Sequence, residues 1–178
     1  FRRVLFRSQC VYCTIIESKF GGERNFHVEH YRPKSRFKGL TNNIFNLFYV
    51  CAICNSFKGS DWPAEPAADW SNHAYPDPSK ANYADFLSVG EDHLVVSDAA
   101  AGRYVIERLY LNRPQLVMAR SADALLARIS NLTDQLLDIL PNADRESMVR
   151  SVACIKQAKD LLVEVGKVSP YEPADVRR

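Results

Sequence analysis

The chain has 178 residues, 47% of them hydrophobic and 25% charged, with a formal net charge of +2. That is length and apolar content for one ordinary domain plus an appended subdomain, and it excludes a disordered chain. No run approaches the roughly 18 to 20 continuous apolar residues of a membrane helix and no signal peptide is visible, so the chain reads as soluble and cytoplasmic.

The small net charge conceals an uneven distribution. Residues 1–60 carry 10 Lys+Arg against 3 Glu and no Asp, a net +7, whereas residues 61–178 carry 13 against 18, a net −5. A basic N-terminal third predicts a polyanionic partner there, the plainer alternative being a solvated basic face. FRRVLFRS, residues 1–8, looks like translated adapter sequence, and a chain that begins at Phe1 is expected to lack its native N-terminus.

Four of the five cysteines form two Cys-x-x-Cys pairs, Cys10 with Cys13 in CVYC and Cys51 with Cys54 in CAIC. Nothing supports the secreted context that a disulfide framework needs. Two such knuckles predict a tetrahedral zinc site, because thiolates at this spacing chelate one ion at about 2.3 Å each. A redox role for one pair is the alternative. Cys154 lies in a helical pattern and reads as a small buried apolar residue.

A metal at the two knuckles would make residues 14–50 one small module. FHVEHY (26–31) is β-prone, PKSRFKGL (33–40) reads as a loop, and NNIFNLFYV (42–50) has the aromatic and β-branched content of a strand. NSFKGS (55–60) predicts a short helix ended by Gly59. Pro63, Pro66, Pro76 and Pro78 mark residues 61–82 as an extended connector. YADFL (83–87) and HLVV (93–96) predict a hairpin around SVGED, and a helix is expected near residues 98–110. From Asn112 the pattern is helical: Leu125, Ile129, Leu132, Leu136 and Leu140 recur at three- and four-residue steps until Pro141. Asn142 is the expected cap of a second helix in which Met148, Val152, Ile155 and Leu162 share one side. Two such helices predict an antiparallel hairpin, with these stripes in the core or on a partner surface.

Taken in order, Cys-x-x-Cys, Glu29-His30, Asn46-Leu47 and Cys-x-x-Cys-Asn-x-x-Lys, the last ending at Asn55 and Lys58, resemble the zinc-clamped HNH endonucleases. The resemblance implies an α+β chain: a zinc-stabilised ββα-metal module over residues 9–60, a connector with hairpin and short helix over 61–111, and a mainly helical region over 112–170. It implies structural Zn²⁺ on Cys10, Cys13, Cys51 and Cys54, and Mg²⁺ or Mn²⁺ on Glu29 and Asn55, whose oxygens suit hard cations. His30 becomes the general base that activates water, and Asn46 holds the loop and orients that base. Arg32, Lys34 and Lys58 become phosphate contacts. Two departures stand out: Glu29 occupies a position where Asp is commoner, and Asn55 stands at the third letter of the motif in place of His.

His27 shares a strand face with Glu29 and reads as a strand or supporting residue rather than a ligand. Asn42 and Asn43 read as turn residues, and His73 and His93 as surface histidines. PDPSKANYADFL (76–87) and RLYLNRPQLVMAR (108–120) resemble a bacterial subfamily of HNH proteins, some encoded beside an ATPase in Septu-type anti-phage defence. The function so implied is metal-dependent hydrolysis of DNA, with RNA as the other candidate, in defence alongside an ATPase partner. The alternative is a zinc-stabilised nucleic-acid-binding or adaptor module without catalysis, which needs the cysteines and basic residues but neither Glu29 nor His30.

Overall fold

In a computed structural model that describes residues 7–139 and 144–168, strand β1 (Phe26–His30) pairs antiparallel with β2 (Leu47–Cys51). The Leu-Phe-Tyr-Val run of β2 suits a pleated, buried surface. Residues opposite one another share a face, so Glu29 with Phe48 and His27 with Val50 lie on one side, and Val28 with Tyr49 and His30 with Leu47 on the other. Helix α1 (Ala52–Lys58) follows at once. Cys51 is its cap, the sulfur accepting the Cys54 N–H at 3.4 Å, and Gly59 ends it at φ 51°, a conformation that suits glycine. The helix packs back on both strands from the His27 and Glu29 side, where Asn55 and Lys58 meet those two residues. The first knuckle docks on the same hairpin, with the Val11 N–H donating to the Tyr49 carbonyl at 3.1 Å.

The connector is irregular from residue 61 to residue 82, but it inserts large side chains into the core: Trp62, Tyr75 and Pro76 are buried. Trp62 meets Tyr31 edge-on at 4.9 Å and stacks near Tyr75 at 6.5 Å, and Tyr75 meets Tyr104 edge-on at 5.5 Å. Such aromatic pairs contribute about 0.5–1.5 kcal/mol each beyond burial. Each buried hydroxyl needs an acceptor, and finds one: Tyr31 donates to the Tyr75 carbonyl at 2.5 Å, while Tyr75 and Tyr104 both donate to Asp61. Burial, then the bond to Asp61, pushes both of these phenols up, Tyr104 to about 12, so they stay protonated donors. Burial opposes ionisation of Asp61, yet the hydrogen bonds from Tyr104, Tyr75 and Arg108 hold it below the ordinary carboxyl value.

Residues 83–87 do not form the expected strand. The Asn82 side chain accepts the Ala84 N–H at 3.2 Å and sets a 3-10 turn at Tyr83–Asp85, after which Phe86 packs against Trp70 and Tyr83. The hairpin forms later and shorter, between β3 (Ser88–Val89) and β4 (Val95–Val96). Helix α2 (Ala100–Arg108) packs on β4 and lies inside the span expected to be helical.

Compactness divides the chain between Leu116 and Val117, so the expected segments 9–60 and 61–111 fall within one unit. Helix α3 (Pro114–Ile139) begins with proline, whose missing N–H has no partner to lose at that position. Leu125, Ile129, Leu132 and Leu136 on it are half-buried. Helix α4 (Arg145–Val168) is capped by Asp144, which accepts the Ser147 N–H at 2.7 Å. Leu140, Pro141 and Asn142 lie outside the described residues.

Of the two placements expected for the α4 stripe, core or partner surface, the described residues do not show the core one. Met148, Val152, Ile155 and Leu162 are 61%, 64%, 55% and 55% exposed, and the buried positions are Ser147, Ser151 and Leu161, with Cys154 and Ala158 half-buried. The Ser151 hydroxyl donates back to the Ser147 carbonyl at 2.9 Å, which satisfies it and lets a small-residue face be buried. No helix of the described residues is long and apolar enough to cross a membrane.

Candidate functional site

The two knuckles converge. The sulfurs of Cys10, Cys13, Cys51 and Cys54 all lie within 4.8 Å of one another, and all four residues are free thiols. Four ligands held at about 2.3 Å around a tetrahedral ion stand roughly 3.8 Å apart, and the Cys13 and Cys51 sulfurs are separated by 3.8 Å. That spacing suits a shared metal and is far beyond a disulfide's roughly 2.05 Å. Mutual hydrogen bonds divide the protons unevenly: neighbours led by Cys10 hold the Cys51 thiol low and push the Cys54 thiol up, while burial pushes Cys10 up. A dication lets all four ionise together, and a closed, soft, four-sulfur donor set fits structural zinc.

Beside this clamp an open cleft of about 440 Å³ is lined by Val28, Glu29, His30, Pro33, Lys34, Ser35, Asn55, Gly59 and Ser60. Four residues singled out in the sequence therefore share one space: Glu29, His30, Lys34 and Asn55. His30 places Nε2 2.9 Å from the Thr41 carbonyl oxygen. A carbonyl only accepts, so Nε2 carries the proton, and a neutral ring leaves Nδ1 as the basic nitrogen.

Glu29 is 4% exposed and Lys58 is fully buried, and the two form an ion pair at 2.5 Å between Nζ and Oε1. The Tyr12 hydroxyl donates to Oε2 at 2.9 Å, and burial, reinforced by the Glu29 charge, keeps that phenol protonated. Oε1 faces the Lys58 ammonium without a hydrogen bond of proper angle, so a metal ion at this oxygen would have to displace Lys58. Lys58 also donates to the His30 carbonyl at 3.3 Å and sits 5.3 Å above the Tyr75 ring. Contact between Lys58 and a phosphate would require its ammonium to leave Glu29.

The Asn55 amide N–H donates to His27 Nδ1 at 3.0 Å. Its Oδ1 accepts no hydrogen bond from the described residues, and an amide oxygen is, like a carboxylate oxygen, a donor of the kind a hard divalent cation takes. Asn46, 3% exposed, grips the chain after β1 at both ends of its amide: Oδ1 accepts the Arg32 N–H at 2.8 Å and Nδ2 donates to the Arg32 carbonyl at 3.0 Å. The Arg32 guanidinium is turned outward and holds Glu65 with two bonds, at 2.9 and 2.6 Å. Lys34 is exposed at the cleft rim. His73 and His93 do not line the cleft.

Residues 10–61 match the HNH endonuclease family model. The matched span takes in both knuckles, both strands of the first hairpin and α1, and the four-cysteine cluster fits a zinc-bound HNH module. No curated protein and no solved structure matches the chain. Two residues that contact side chains of the cleft carry weak sequence signals. Tyr12 lies between two cysteines, where an aromatic residue has no distinguishing mark. His27 could be found only by its period-two spacing from Glu29, which puts it on the face that receives α1.

Proposed function

We propose that the HNH module hydrolyses phosphodiester bonds of DNA at this cleft. The observation that carries the reading is the meeting of Glu29, His30 and Asn55, drawn from a strand and a helix, in one open cleft of a zinc-clamped ββα unit. Glu29 and Asn55 would hold a divalent ion, Mg²⁺ or Mn²⁺, which would supply neutralisation of charge on the phosphate and the leaving oxygen. His30 Nδ1 takes a proton from the attacking water, with the Thr41 carbonyl fixing the ring. Water oxygen bonds to phosphorus as the bond to the 3′-oxygen breaks, which leaves a 5′-phosphate and a 3′-hydroxyl. Asn46 holds the backbone of Arg32 and so the loop that carries Lys34 to the phosphate. Lys58 keeps the Glu29 carboxylate in place from below.

The resemblance of residues 76–87 and 108–120 to the Septu-type subfamily supports a role in anti-phage defence beside an ATPase. Co-purification with such an ATPase is the expected outcome; a protein that cuts host-like DNA freely and binds none would remove that role. One observation favours the non-catalytic adaptor: the cation already on Glu29 is Lys58. Incubation of zinc-loaded protein with supercoiled plasmid in Mg²⁺, Mn²⁺ or EDTA separates the readings. Divalent-dependent nicking is expected of the nuclease, and DNA binding without nicking in any of the three would favour the adaptor.

A further inference from the structure

Residues 108–113, RLYLNR, take no part in the cleft, yet three of their side chains are polar pins. Arg108 Nε donates to Asp61 at 3.1 Å. Asn112 matches both backbone groups of Val95, accepting its N–H at 2.7 Å and donating to its carbonyl at 2.9 Å. Arg113 turns to the cysteine cluster: Nη2 lies 3.7 Å from the Cys54 sulfur and 4.0 Å from that of Cys51, while Nη1 donates to the carbonyls of Leu109 and Tyr110 at 3.0 and 3.2 Å.

The charge on Arg113 calls for a counter-charge. A guanidinium is ionised at every physiological pH, this one is half-buried, and its Nε is enclosed without a hydrogen bond. No carboxylate of the described residues pairs with it. Withdrawing such a charge from water without an anion is expensive. Neutral thiols or disulfides supply no anion, whereas a zinc ion held by four thiolates carries net negative charge and does.

We propose that Arg113 is an outer-sphere cation of the cysteine centre. Its N–H groups draw charge from the two sulfurs of the second knuckle and anchor that knuckle to the end of α2, so the zinc site is completed by a residue outside the segment that matches the HNH family. The inference is independent of whether the cleft cuts DNA.

The test compares zinc-loaded wild type with Arg113→Gln and Arg113→Lys, following zinc transfer to excess chelator by a chromogenic indicator. Loss of an outer partner typically weakens metal affinity 10- to 100-fold, and zinc release from Arg113→Gln is expected to accelerate by about that factor. Replacement of zinc by Co²⁺ gives a second readout: the tetrahedral bands persist, showing an intact site, and the thiolate-to-cobalt band shifts. Where the Gln variant does not fold, Arg113→Lys carries the comparison, since one ammonium cannot span both sulfurs and both carbonyls, and release still accelerates. Asn112→Ala, which loosens the same segment without touching sulfur, is the control. Release and spectra equal to wild type in the Arg113 variants, or equally fast release from Asn112→Ala, would overturn the proposal.

Discussion

The first unit is built from pieces too short to stand alone, two five-residue strands and a seven-residue helix, whereas the second carries helices of 26 and 24 residues in whole or part. Specific side chains compensate in the first: a four-sulfur cluster, a buried Lys58–Glu29 pair, and tyrosines that donate to Asp61 and Glu29. The second has long regular helices and leaves much apolar surface in water, Met148 and Val152 among it. Rigidity in the first unit thus comes from chemistry that fixes individual groups, as the proposed function of its cleft requires; regular helix needs no such pins.

Zinc removal should separate the two most sharply. Structural zinc contributes on the order of 10–16 kcal/mol of apparent binding free energy in small modules, more than most domains have in reserve. Both tryptophans, Trp62 and Trp70, lie in the first unit, so their fluorescence reports it alone. Chelation is expected to shift tryptophan emission to the red while most far-ultraviolet helical signal persists. Simultaneous loss of both signals, or of neither, would break the comparison.

Lys58→Met comes next. Removing one partner of a buried pair costs about 3–5 kcal/mol because the other charge is stranded. The urea midpoint read by tryptophan emission should fall accordingly, and added Mg²⁺ should restore part of it if Glu29 is a cation site. No fall would mean that Glu29 is not stranded and that the pair contributes little.

Asp61→Asn is the smallest effect, about 1–3 kcal/mol for hydrogen bonds to a charged group. The folded carboxyl titrates below the ordinary 3.8, so its stabilisation is fully present above that value and is lost as pH falls through the lower folded one. The stability gap between wild type and variant should therefore be constant above about pH 5 and narrow as the pH falls below 3.8. A gap independent of pH would show that the Asp61 charge is not what Tyr75, Tyr104 and Arg108 recognise.

Legibility followed the same division. Zinc ligation demands cysteine at a short spacing, and strand alternation with an aromatic run marks β1 and β2, so the clamp and its hairpin could be read from residue types. Lys58 could not, because an unpaired lysine is almost always exposed and only the fold brings Glu29 beneath it. The hairpin near residue 90 was misplaced because Asn82 diverts YADFL into a turn that outcompetes its strand propensity. On α4 the periodicity was visible, but burial selected the side with Ser147, Ser151 and Leu161, whose two serines an apolar-stripe argument discounts. Arg113 lay beyond reach, since its partners are sulfurs far away in sequence.

The most direct measurement is plasmid cleavage by wild-type and His30→Ala protein at equal zinc content and equal tryptophan emission, with the ends of the product determined. The account predicts divalent-dependent cutting to 5′-phosphate and 3′-hydroxyl ends, reduced at least about 100-fold by the substitution. Equal cutting by the two proteins would remove His30, and with it the cleft, from the chemistry.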